Sequence, residues 1–164
     1  MLSCAAVTPS EPRFVVGLHD ATTLHFDLRL ELGGVARSWA VPKGPSLDPA
    51  VKRLAVAVDD HGLDSLDFEG VHAGATRGTG AVIVWDEGTF ELRGERDGHL
   101  SFVLHGHKLE GGFALTRTGG TQWILVKMRD EAALPGSDVV ADEPRSVRSG
   151  RTWQELARGE PPAG

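Results

Sequence analysis

The chain has little of what would staple a fold from outside or carry it into a membrane. Its one cysteine, Cys4, cannot form an internal disulfide, a usage that suits a reducing compartment. No stretch approaches the roughly 20 consecutive apolar residues that a bilayer span needs, and no basic start precedes an apolar run near Met1. These absences predict a cytoplasmic protein with no membrane partner. Positive charge is also short: the net charge of -6 argues against bulk, sequence-independent adhesion to nucleic acid. Helical periodicity is almost missing, and there is no repeat or low-complexity tract.

With 164 residues, the chain is long enough for one core that buries about two-thirds of its unfolded surface. The most informative stretch is Leu24 to Glu31, Leu-His-Phe-Asp-Leu-Arg-Leu-Glu. Strict alternation is the mark of a half-buried strand, whose side chains point to opposite faces with period two. Leu24, Phe26, Leu28 and Leu30 make one apolar row. The other row, His25, Asp27, Arg29 and Glu31, holds nothing but ionisable groups.

In chain order, residues 1–12 lack periodicity and predict an arm, residues 13–131 a single domain, and residues 132–164 a polar tail with one helical candidate at 152–158, where Thr152 can cap. Strand patterns run over Phe14 to Leu18, Leu24 to Glu31 and Val35 to Val41, the last two joined by a Gly33-Gly34 turn. Pro42 to Ser46 ends the hairpin and presents Lys43. Asp48 to Lys52 reads as one helical turn, Arg53 to Val58 as a strand, and Asp59 to Gly80 as a long irregular loop. Further strands are predicted at Ala81 to Trp85, Thr89 to Leu92, Leu100 to His105, Phe113 to Thr116 and Trp123 to Met128. Turns at Asp86-Glu87-Gly88, Asp97-Gly98, Gly111-Gly112 and Gly119-Gly120 separate them. Short strands between glycine turns predict an all-β fold, a small closed or partly closed antiparallel barrel or sandwich. Trp39, Trp85 and Trp123 lie in strand runs and suit core packing better than base stacking.

His25 and Asp27, two apart on one strand face, have Cβ atoms about 7 Å apart and can converge on one ion. His19, just upstream, is a natural third ligand. Imidazole and carboxylate suit Mn²⁺, Fe²⁺ or Zn²⁺ better than Ca²⁺ or Mg²⁺, and three protein ligands leave positions open. Pairing of Asp27 with Arg29 or Arg37, around a plain surface histidine, accounts for the same pattern without a metal. Arg29 extends the face and can fork onto a phosphoryl oxygen; equally, it can pair with Glu31 or Asp27. His61 reads as a fourth ligand, a phosphate contact, a general acid or an ordinary loop histidine. Lys43 and Arg53 belong to a locally basic stretch, residues 29 to 53, with five basic and two acidic side chains. His105-Gly106-His107 is a weaker metal alternative.

Several blocks resemble one family. His19-Asp-Ala-Thr-Thr-Leu-His25-Phe-Asp27-Leu-Arg29-Leu-Glu31, Ser38-Trp-Ala-Val-Pro-Lys-Gly-Pro-Ser46, Lys52-Arg-Leu-Ala-Val56, Asp67-Phe-Glu-Gly70 and Val82-Ile-Val-Trp-Asp86 are similar to the 3'-phosphoesterase domain of bacterial DNA ligase D. Leu104 to Leu109, Gly111 to Leu115 and Trp123 to Lys127 continue the match, which runs from about Pro12 to Glu131. Polymerase and ligase domains are absent from these residues, so the resemblance implies a stand-alone version.

It further implies a small β-barrel with manganese-dependent activity on DNA 3' ends. A terminal ribonucleotide is trimmed to a 3'-phosphate, which is then removed to leave a hydroxyl for a separate repair polymerase or ligase in end joining. By matching position, His19, His25 and Asp27 become metal ligands, Arg29 and His61 phosphate contacts, and Lys43, Arg53 and Asp59 substrate-side residues. The chain departs from the family pattern in four places. Asp59 stands where glutamate is usual, Ser65 where a tyrosine contacts phosphate, and Gly74-Ala-Thr-Arg-Gly78 where Gly-Glu-Tyr-Gly is usual, and the basic N-terminal arm is nearly missing.

Two other functions compete. A DNA-end or repair-complex module that keeps the barrel but has lost activity is motivated by Ser65 and the changed loop. An iron oxygenase with two histidines and one carboxylate needs a distant histidine such as His105 beside His25 and Asp27.

Overall fold

The computed structural model describes residues 11–74 and 77–163. Most of the expected arm, with Cys4, lies outside the described residues. Nine strands are present among the described residues: β1 (Arg13–Asp20), β2 (Leu24–Leu32), β3 (Val35–Val41), β4 (Arg53–His61), β5 (Gly70–Val71), β6 (Ala81–Arg96), β7 (His99–Gly106), β8 (Glu110–Gly119) and β9 (Gln122–Lys127). All pairings are antiparallel. The order β1-β2-β3-β4-β9-β8-β7-β6, with β6 returning to β1, closes an eight-stranded barrel, and β5 adds to the start of β6. The all-β barrel expected from the sequence is therefore found, and closure removes the exposed strand edges that an open sheet would carry.

The interior is filled by side chains. Phe14, Phe26, Leu30, Trp39, Trp85 and Phe102 belong to one buried cluster, with edge-on ring pairs Phe26–Trp85 at 5.5 Å and Trp39–Trp123 at 5.7 Å between centroids. Alternation puts the next residues of each strand outside. On β1, Phe14, Val16 and Leu18 face the interior, whereas Val15 joins Ala36, Leu66 and Val84 in a second, smaller apolar cluster, against which Val147 of the tail packs. This outer core holds a roof against the barrel wall.

Three local expectations are corrected. Residues 59 to 80 are not one irregular loop: β4 continues to His61, a 3-10 turn spans Leu63–Asp67, and β5 follows. Asp86-Glu87-Gly88 is not a turn but the middle of the 16-residue β6. Asp86 is fully buried and accepts backbone N–H groups from His107, Lys108 and Leu109 at 2.8, 3.2 and 2.9 Å, so the residue that looks like a turn former instead braces the β7–β8 reversal. Gly88 permits a close crossing there, since a Cβ would lie 1.9 Å from the His105 carbonyl oxygen. Gly111 and Gly112 lie inside β8, the reversal falling at His107 and Lys108.

The tail straps the barrel. Leu134 N–H donates to the Leu47 carbonyl at 2.9 Å, Trp85 Nε1–H to the Glu143 carbonyl at 2.7 Å, and Val147 N–H to the Val84 carbonyl at 2.9 Å. Two short helices, α1 (Val139–Asp142) and α2 (Trp153–Arg158), dock Val139, Val140, Trp153 and Leu156 on the main core. Thr152 and Glu155 form a capping box at the start of α2. No helix among the described residues is long and apolar enough to cross a membrane.

Candidate metal centre

The β1–β2 register sets His19 opposite His25, Gly17 opposite Asp27 and Val15 opposite Arg29. All six face outward, because their neighbours in each strand fill the barrel. Gly17 has no side chain, so the space over Asp27 stays open. One ligand atom from each of His19, His25 and Asp27 lies within 4.8 Å of the others, a spacing that can hold a metal ion. His25 Nε2 is 3.1 Å from Asp27 Oδ1, and His19 Nδ1 is 3.7 Å from Oδ2. Among the described residues this is the one such cluster. His105 is not part of it, its ring nitrogens facing Glu91 and Glu110.

The donor set fits a borderline divalent ion. His25 Nδ1 stands 3.1 Å from the Thr23 carbonyl oxygen, which can only accept, so the Nδ1 proton is committed there and Nε2 is turned to Asp27. The hydrogen bond to Asp27 raises the His25 pKa above its ordinary value. Burial pushes Asp27 up, but the neighbouring His19 and His25 imidazoles and the charge of Arg29 outweigh it and hold the carboxylate far below its usual range. The site thus favours the carboxylate form of Asp27, and a cation can take the place of the proton on His25.

Arg29 continues the face. Its Nη2 lies 3.8 Å from Asp27 Oδ2, and burial lowers its pKa. Its Nη1–H donates to Ser38 Oγ at 2.9 Å, while the Ser38 hydroxyl donates to the Ala36 carbonyl at 3.0 Å. That single hydroxyl proton being used, the 3.5 Å contact between Ser38 Oγ and His61 Nδ1 has His61 as donor. Ser38 therefore orients both Arg29 and His61 across the β3–β4 bulge, where Ala36 pairs with His61.

These groups share one cavity of about 590 Å³, lined by His19, His25, Asp27, Arg29 and His61 together with Ser65, Phe68 and His72. Lys43, Arg53 and Asp59 do not line it. Lys43 is exposed in the turn after β3, Asp59 is exposed on β4, and Arg53 is half-buried, its Nε without a hydrogen-bond partner among the described residues. The last β3–β4 pair is Ala40 with Val56; the chain then turns at Pro42 and Lys43, and Arg53, at the start of β4, pairs with Leu125 of β9. Sequence reading missed Ser38, buried behind Arg29 and His61, and Phe68 and His72 in the wall. Ser38 sits in a strand whose register with His61 depends on a bulge, and the other two lie in what looked like irregular loop.

The chain matches the family model described as the DNA Ligase D 3'-phosphoesterase domain over residues 17–117. It is 52% identical over 151 residues to the multifunctional non-homologous end joining protein LigD of Pseudomonas aeruginosa, covering 85% of this chain and 18% of that protein. It is 37% identical over 129 residues to the multifunctional non-homologous end joining DNA repair protein LigD of Mycobacterium tuberculosis, covering 76% of this chain and 17% of that protein. The chain thus spans less than a fifth of the length of these relatives. On a match that contains the His19, His25 and Asp27 cluster, Arg29 and His61 within one barrel, the chain belongs to the DNA ligase D 3'-phosphoesterase domain family.

Proposed function

We propose that this domain is a manganese-dependent phosphoesterase that removes a 3'-phosphate or a 3'-terminal ribonucleotide from DNA ends in end-joining repair. The observation that carries this reading is the His19, His25 and Asp27 cluster within 4.8 Å, with Arg29 beside it on one cavity wall. His19, His25 and Asp27 would hold the ion, which supplies Lewis-acid polarisation of a phosphoryl oxygen and a water of lowered pKa.

The chain's own groups do the rest. Arg29, fixed by Ser38, binds the phosphate and neutralises charge that develops on its oxygens. Water forms the new P–O bond and the bond from phosphorus to the leaving oxygen breaks. That oxygen is the 5' oxygen of a terminal ribonucleoside, which leaves a 3'-phosphate, or the 3' oxygen of a 3'-phosphate, which leaves the 3'-hydroxyl. In each case His61 delivers the proton that turns the leaving oxygen into a hydroxyl. Lys43 and Arg53, outside the cavity, are assigned to backbone phosphates of the strand leading into it, and Asp59 to the rim of that path. The 3'-hydroxyl produced is the end that a separate repair polymerase or ligase requires.

A second reading, a DNA-end module with impaired catalysis, is favoured by one observation. Ser65 turns its hydroxyl to the Gly62 carbonyl at 2.8 Å and offers no donor to the cavity. Incubation with 3'-phosphate and 3'-ribonucleotide primer-templates and Mn²⁺ separates the readings. Release of inorganic phosphate that His25→Ala abolishes supports the enzyme. Retention of Mn²⁺ and DNA without turnover of either end supports the module.

A further inference from the structure

Phe68 and His72 stand in the cavity wall without a task in the reaction above. Their rings are stacked, with centroids 4.6 Å apart and planes at 19°. His72 lies next to His19 at 5.4 Å, and His19 next to His25 at 5.2 Å. Four rings thus form a row from the cavity's apolar wall to the ligand set. Phe68 is 39% exposed, although burial of a large apolar side chain is strongly favourable.

The pair is held in place from both sides. Phe68 lies between Leu66, buried in the outer core, and Glu69, whose carboxylate accepts the Val84 N–H at 2.7 Å. His72 N–H donates to the Gly80 carbonyl at 3.0 Å, and Thr79 is tied to the Asp20 carboxylate through its N–H and hydroxyl, each at 2.8 Å. Gly78 closes this loop against Asp20 and Ala21 in a left-handed conformation, where a Cβ would meet the Ala21 carbonyl oxygen at 2.1 Å. A preorganised ring surface beside a polar centre is the arrangement that takes a base.

A phosphate needs cations and donors, not rings, and a cavity of about 590 Å³ falls in the range of roughly 300–1,000 Å³ that holds a whole nucleotide-sized ligand. We infer that Phe68 and His72 form a stacking subsite for the nucleobase of the 3'-terminal nucleotide, whose own phosphate then lies over His19, His25 and Asp27. The inference rests on the phosphoesterase reading and deepens it: the domain selects a nucleoside over a baseless end, with tolerance for which base it is, because every base has a π-face.

The test compares an oligonucleotide 3'-phosphate ending in an ordinary nucleoside with one ending in a tetrahydrofuran abasic residue, in Mn²⁺. Wild type should show a KM about 5- to 150-fold higher for the abasic end, the range one stacked base supplies. Phe68→Leu, which keeps apolar bulk at an exposed position, should bring that ratio close to one, whereas Phe68→Trp and His72→Phe should preserve it. A ratio near one in wild type, or an undiminished ratio in Phe68→Leu, overturns the subsite. A second measurement needs no turnover: 2-aminopurine as the terminal base should be quenched on binding to wild type without Mn²⁺ and not on binding to Phe68→Leu. If neither end is hydrolysed, the phosphoesterase reading falls while the fluorescence still decides the subsite, quenching supporting it and unchanged emission removing it.

Discussion

Ser146 Oγ donates a 2.6 Å hydrogen bond to Oε1 of Glu69, a residue 77 positions earlier, and the same oxygen accepts the backbone N–H of Val84. One carboxylate therefore joins the tail, the roof over the cavity and the barrel wall. Glu69→Ala strands the Val84 N–H at a position 1% exposed. The expected loss is about 1–3 kcal/mol, the cost of an unsatisfied buried donor. Urea unfolding measures it, with hydrogen exchange at Val84 accelerating in parallel. An unchanged midpoint would show that water replaces the carboxylate.

Arg148 bridges Glu87, through Nη2 at 2.7 Å, and Asp67, at 3.0 Å, from the tail to the 3-10 turn. Hydrogen bonds from Arg13 first and Arg148 second hold Asp67 down at about 2. Because the folded pKa is depressed, the stabilisation is present above the ordinary carboxylate range and is lost as pH falls toward 2. Arg148→Met should raise the Asp67 midpoint only part of the way, since Arg13 remains. Carboxylate titration by NMR follows it. Global stability should change by less than about 1 kcal/mol, as is usual for exposed pairs.

Ser38 should act as a positioning residue. Ser38→Ala removes the acceptor for Arg29 Nη1 and the contact to His61. Turnover should fall about 10- to 100-fold, as for other outer-shell partners. Inhibition by inorganic phosphate should weaken while Mn²⁺ affinity, measured by EPR, stays the same. Ser38→Thr, which restores the hydroxyl, should recover both. Loss of Mn²⁺ binding in Ser38→Ala would instead indicate a collapsed site.

Burial lowers the Lys108 pKa to about 8, its ammonium donating to the Glu143 carbonyl at 2.9 Å and lying 4.3 Å from the Trp85 ring centre. The unfolded chain keeps this proton to a higher pH than the folded one. Between about pH 8 and 10.5 the unfolded state therefore binds more protons, and stability should rise with pH from this group. Lys108→Met should remove that component. Denaturation midpoints of the two proteins across this range test the sign, and parallel profiles would refute it.

Buried Lys127 donates to Asp130 and to the Met128 carbonyl beneath the Phe113 ring. Asp130→Ala leaves that ammonium buried with a single acceptor and should destabilise by about 3–5 kcal/mol. Changing both residues, Lys127→Met with Asp130→Ala, should recover much of the loss. Denaturant unfolding of the single and double variants measures both effects.

What the sequence by itself determined is local in range. The alternation of β2 follows from a two-residue period, so one row had to face the core and the other had to bring His25, Asp27 and Arg29 together. Thr152 announces a helix start for the same reason, since a cap reaches only the first turn that follows it.

Tertiary structure decided whatever depends on partners far away in the chain. Asp86 reads as a turn residue until the backbone N–H groups of residues 107 to 109 enclose it and let β6 run straight through. The polar tail becomes a strap because Glu69, Glu87 and Asp67 wait for Ser146 and Arg148. Phe68 and His72 meet beside His19 only because Leu66 docks in the outer core and Thr79 ties the following loop to Asp20. A period of two residues cannot encode a contact across twenty or more, so the strand that carries His25, Asp27 and Arg29 was legible and the walls of its cavity were not.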